Sequence, residues 1–177
     1  MYRLVPFAHV SHSPLRQRGG PAILFALVLC CTTPFLARAQ TPAAPSAATI
    51  TKITLERGCF GCPTESVLVL RRDGQATYTV TGNARHGTED KSSTGTVRAE
   101  DFEKLARFIA SQRFFDLDDR YDDPQIQDGA WTTTIVIRAG EDKRVFRGGE
   151  NGPAALKAIE NAVDASKARI EFVPKLR

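Results

Sequence analysis

"ITKITLERGCFGCPTESVLVLRRDGQATYTVTG", Ile50 to Gly82, holds three apolar segments of period two, separated by two short polar or glycine-bearing breaks. Ile53, Val67, Val69 and Val80 are β-branched, and side chains that alternate in this way suit strands, whose successive residues point to opposite faces. The second break, Arg72-Asp73-Gly74-Gln75, carries the Asp-Gly pair that favours a type I′ hairpin, in which both central residues take positive φ. The first break contains Cys59-Phe60-Gly61-Cys62. A β-turn brings its first and fourth Cα atoms within about 7 Å, which overlaps the span of a disulfide. Gly61 occupies the third position, where a type II turn requires positive φ.

Beyond Gly82 the chain is polar and glycine-punctuated up to a fourth short strand expected around Ser93 to Val97. "AEDFEKLARFIASQRFF", from Ala99, changes to helical spacing, with Phe102, Leu105, Ala106 and Ile109 on one face. Glu100 and Asp101 fall in the first turn, at the positive end of the helix dipole. "DLDDRYDDPQIQDG", Asp116 to Gly129, reads as a loop, and "WTTTIVIR" and "KRVFRG" as a second hairpin turning around Ala139 to Asp142. A second helix follows in "NGPAALKAIENAVDAS", with Pro153 at its first position and Leu156, Ile159 and Val163 facing inward. The order ββββαββα predicts an α+β domain over 50–170, an antiparallel sheet of about six strands with both helices packed on one face. The tail, 171–177, either adds a short edge segment or frays.

The N-terminal residues read differently. Arg3, Arg16 and Arg18 form a basic region, "PAILFALVLCC" an apolar one, and "ARA" ahead of Gln40 a small-x-small processing site, so 1–39 is expected to be an export signal cut between Ala39 and Gln40. The apolar run is short for a membrane span, so no stable span is expected after processing. Lipidation at Cys30 or Cys31 is the lesser expectation, because bulky Leu29 precedes the pair. The segment 40–49, rich in Pro, Ala and Ser, predicts a flexible leader. The chain carries 24 basic and 20 acidic residues, a formal charge of +4, and the signal alone holds Arg3, Arg16, Arg18 and Arg38 with no acid among them. The remainder is formally neutral, which gives no support to nucleic-acid binding.

"CFGCP" before a strand, "DG" and a tyrosine in a hairpin, a helix ending in "FFDL", the acidic loop, "TTTIVI" and "GPAALKAIENAVD" resemble, in that order, an exported bacterial domain-of-unknown-function family, DUF6438. The resemblance covers about Ile53 to Asp164 and implies an exported module with no assigned activity. Two departures from the family pattern stand out: one residue fewer between the cysteines, and Thr64, Glu65 and Ser66 after Pro63 where the family carries an aromatic.

Cys59 and Cys62 admit three chemistries. A redox Cys-x-x-Cys opens a helix whose N-terminus stabilises the thiolate, whereas "TESVLVL" after Cys62 is a strand pattern. Zinc needs about four ligands, and past the signal the chain offers these two cysteines and His86, read here as a solvated loop histidine. A disulfide stapling the turn is the expectation in an oxidising compartment, with a thiol-disulfide oxidoreductase as the alternative. Asp116, Asp118, Asp119, Asp122, Asp123 and Asp128 invite a calcium reading, but their order departs from the calcium-loop pattern and Pro124 interrupts it. Ser92 and Ser93 near His86 lie in polar sequence with no apolar frame for a triad, and Trp131 and Phe146 read as strand residues. No catalytic, cofactor or metal residue is assigned. The expected role is a non-enzymatic binding module for a protein, a cell-envelope component or a small molecule.

Overall fold

A computed structural model describes residues 47–122 and 129–175. Its strands are β1 (Ile50–Cys59), β2 (Thr64–Arg71), β3 (Gln75–Gly82), β4 (Lys91–Thr96), β5 (Arg120–Tyr121), β6 (Ala130–Arg138), β7 (Glu141–Gly148) and β8 (Val173–Pro174). The helices are α1 (Ala99–Ser111) and α2 (Ala154–Lys167). One sheet runs β5-β7-β6-β1-β2-β3-β4-β8. The α+β architecture is the one expected, but the sheet has eight strands rather than about six, and it is mixed, because β5 pairs in parallel with β7. The two extra strands are two residues long, too short to carry an alternation that sequence could display.

β1 sits in the middle of the sheet, paired with β2 on one side and β6 on the other. Ile53 and Leu55 face the helices, and the register places Leu68, Leu70, Ala76, Val136 and Val145 on the same side. A register shift between Ile50 and Lys52 breaks the alternation, so Ile50 and Ile53 both reach the core although three residues apart. Phe102, Leu105, Ala106 and Ile109 of α1 and Leu156, Ile159 and Val163 of α2 close this core, as their spacing requires. Phe102 and Phe114 are its largest fully buried side chains. Removing either ring costs about 3–5 kcal/mol by the usual behaviour of buried aromatics.

Several boundaries differ from expectation. β4 begins at Lys91, so Ser92 and Ser93 are strand residues opposite Thr79 and Tyr78. Pro153 is the N-cap of α2 and not its first helical residue. The Asp-Gly turn is not type I′: Gly74 has φ 90°, but Asp73 does not take positive φ. Leu70 still opposes Ala76, and Gly74 N–H donates to the Arg71 carbonyl at 3.1 Å. This is the three-residue hairpin loop in which a turn is followed by a left-handed glycine. The Asp73 carboxylate accepts from Gln75 N–H at 3.0 Å, and that bond, with Arg71 beside it, holds its pKa below the usual carboxylate range.

Both ends of the domain are seated. Ala47–Thr49, the last of the expected leader, form a 3-10 turn whose Ala47 carbonyl accepts from Arg72 Nη2 at 2.9 Å. The tail supplies an edge strand, the first of its two expected fates, with β8 pairing against Ser93 and Thr94. The expected processing site at Ala39 and Gln40, together with Cys30, Cys31 and the terminal pair 176–177, lies outside the described residues.

Candidate functional site

β1 runs through Cys59 and β2 starts at Thr64, so four residues make the reversal. Within it Cys62 N–H donates to the Cys59 carbonyl at 3.3 Å and Gly61 takes φ 79°. Phe60 is not at positive φ, which makes this the type II turn that Gly61 foreshadows. The Cys59 and Cys62 Cα atoms stand 5.3 Å apart and a disulfide joins the two side chains. At the tip, Phe60 is 79% exposed.

The disulfide is one of several braces. A loop after β3, with a short 3-10 turn at Ala84–His86, folds back against the reversal. Asn83 Nδ2 donates to the Cys62 carbonyl at 3.1 Å, and the Thr88 hydroxyl donates to the Pro63 carbonyl. His86 Nε2 lies 3.1 Å from the Gly61 carbonyl, an acceptor, so that nitrogen carries the proton. Three consecutive carbonyls of the turn are therefore capped by side chains from one loop. Gly82 lets the loop come this close, since a Cβ there would fall 2.3 Å from the Thr88 carbonyl oxygen. His86 is thus exposed but not merely solvated, which corrects its sequence reading. A hollow of about 350 Å³ opens beside the turn, bordered by Cys62, Thr64, Glu65, Thr81 and Asn83.

The acidic loop disperses its charges. Asp116 pairs with Arg113 at 2.7 Å, Asp119 with Lys143 and Asp122 with Arg120, while Asp118 N–H donates to the Tyr121 hydroxyl at 3.0 Å. Asp123, Pro124 and Asp128 lie outside the described residues. Trp131 and Phe146 stand on the sheet face away from the helices, their ring centres 6.4 Å apart. The Trp131 ring fills the space over Gly58, where a Cβ would come within 2.6 Å of it.

The helix-covered face holds polar groups that sequence reading passed over. Arg147 of β7 is 10% exposed and Glu160 of α2 4% exposed, and the two are joined at 2.7 Å. Arg147 also donates to the Gly149 carbonyl, and the Glu160 hydrogen bond raises its pKa above the ordinary arginine value. Nearer the disulfide, Arg57 forms a two-pronged pair with Asp164 at 2.9 and 2.7 Å, and Lys167 Nζ lies 3.4 Å from the centre of the Tyr78 ring. These contacts join strands to α2 across long stretches of chain, so no local spacing announces them.

A family model described as Domain of unknown function (DUF6438) matches residues 51–167. No curated protein matches the chain.

Proposed function

We propose that this chain, which belongs to the DUF6438 domain-of-unknown-function family, acts after export as a non-enzymatic binding module that offers its disulfide turn to a protein of the cell envelope. The observation that carries this reading is Phe60, 79% exposed on a turn fixed by a disulfide and three side-chain caps. A lone exposed apolar residue is ordinary on a protein surface. What sets this one apart is the effort spent in fixing its backbone. A pre-ordered aromatic loses little conformational entropy on binding, and aromatic anchors seated in a partner's pocket dominate interface energies.

Two further features support the reading. A disulfide suits an oxidising compartment, and no helix among the described residues is long and apolar enough to cross a membrane. Cys62 leads into β2 and not into a helix, so the thiols lack the helix N-terminus that activates a redox cysteine.

The test is a photo-crosslinking residue placed at position 60 and, as control, at exposed Arg107 on α1, in the cells that make the protein. A discrete protein adduct from position 60 alone is expected, with no turnover by the wild type in an insulin-reduction assay. Equal adduct patterns from both positions, or insulin reduction lost on Cys59→Ser, would overturn the proposal.

A further inference from the structure

On the helix-covered face, a few residues in from the disulfide turn, four half-buried side chains meet: Arg57 of β1, Ser66 of β2, Tyr78 of β3 and Lys167 in the last turn of α2. The register sets Ser66 opposite Arg57 and Leu68 opposite Tyr78, so Ser66 and Tyr78 are diagonal neighbours on one face. Arg57 is already engaged by both carboxylate oxygens of Asp164. Lys167 is not so engaged. Its ammonium rests on the Tyr78 ring and makes no ion pair among the described residues. An aromatic face compensates a partly desolvated ammonium only in part, since the ring offers a quadrupole and no full negative charge.

We propose that Ser66, Tyr78 and Lys167 form a subsite for an oxyanion, the carboxylate or phosphate group of a ligand. The two hydroxyls supply directional donors and Lys167 a point charge, while the Arg57–Asp164 pair fixes the floor beside them. A bound oxyanion would give Lys167 the counter-charge that the fold does not. The state of the phenol agrees with this. Partial burial acts to raise its pKa, but the nearness of Lys167 and Ser66 and the charges of Lys167 and Arg57 outweigh that and leave it lowered.

This site is separate from the Phe60 tip, and its test does not depend on the binding role proposed for that turn. The purified full chain is titrated with inorganic phosphate and, separately, with acetate, each against sodium chloride of equal ionic strength, while NMR follows Ser66, Tyr78 and Lys167. Saturable shifts at these residues are expected, weakened roughly tenfold or more by Lys167→Met, the usual effect of losing a charge-assisted hydrogen bond. Tyr78→Phe, which keeps the ring under Lys167, is expected to weaken binding severalfold and serves if the lysine variant fails to fold. Tighter phosphate binding identifies a phosphate ligand, and tighter acetate binding a carboxylate. No saturable shift with either anion, or an affinity unchanged in the variants, would overturn the proposal. Phe60→Ala is expected to leave the titration unaltered.

Discussion

The Asn83 side-chain amide donates to the Cys62 carbonyl at 3.1 Å, tying the disulfide turn to a loop 21 residues further along the chain. With Thr88 on Pro63 and His86 on Gly61, this bond gives the turn a second support that does not pass through sulfur. The disulfide therefore reinforces a conformation the loop already specifies.

It follows that Cys59→Ser with Cys62→Ser leaves the fold intact. Closing so short a loop removes little entropy from the unfolded chain, and the double variant is expected to lose about 2 kcal/mol of unfolding free energy. Urea unfolding with circular dichroism checks this. A loss of the folded spectrum in buffer would contradict it.

Gly95 governs how the C-terminal segment docks. A Cβ there would fall 2.6 Å from Ile170 Cγ2 and 2.8 Å from the Glu171 carbonyl oxygen, so backbone would have to move. Gly95→Ala is expected to cost about 1–3 kcal/mol, as overpacking does. It should also free Phe172 from its contact with Tyr78, at 5.9 Å between ring centres. Faster amide exchange confined to residues 170–175 is the signature.

The Arg147–Glu160 pair is nearly closed to water, so halving it strands a charge. Glu160→Ala is expected to destabilise by about 3–5 kcal/mol, the usual result when one partner of a buried pair is removed. Replacing both residues by apolar side chains of similar volume should recover much of that loss. Denaturant midpoints of the single and double variants measure both effects.

Tyr78 provides a pH signature. Partial burial acts to raise its pKa, but the groups facing it, Lys167 on α2, Ser66 on β2 and Arg57 on β1, the last paired with Asp164, outweigh that and lower it from 10.0. The folded protein then releases this proton at a lower pH than the unfolded chain does. Its contribution to stability is absent at neutral pH, grows as pH rises through the folded-state value, and is complete only above the unfolded value. Lys167→Met removes the strongest of the interactions that lower it, so the tyrosinate absorbance of Tyr78 should appear at higher pH than in the wild type. An unchanged titration would contradict the assignment.

What could be read from sequence was what repeats locally. The apolar faces of α1 and α2 follow from the spacing of Phe102, Leu105 and Ile109 and of Leu156, Ile159 and Val163, and the type II turn from Gly61. β5 escaped because two residues carry no period, and for the same reason the tail's edge strand β8 was legible only as one of two fates. The Asp73-Gly74 pair misled because a three-residue loop uses the same dipeptide, with the Asp73 carboxylate held by its own neighbours. His86 and Lys167 were illegible for a different reason. Their partners, Gly61 and Tyr78, are brought to them only by the folding of distant segments.

The most direct test weakens the loop's support and leaves both Phe60 and the disulfide in place. With the crosslinking residue at position 60, Asn83→Ala combined with Thr88→Ala is predicted to cut the adduct yield severalfold while the disulfide stays closed. An adduct yield equal to that of the unaltered loop would contradict the claim that a held turn is what the partner meets.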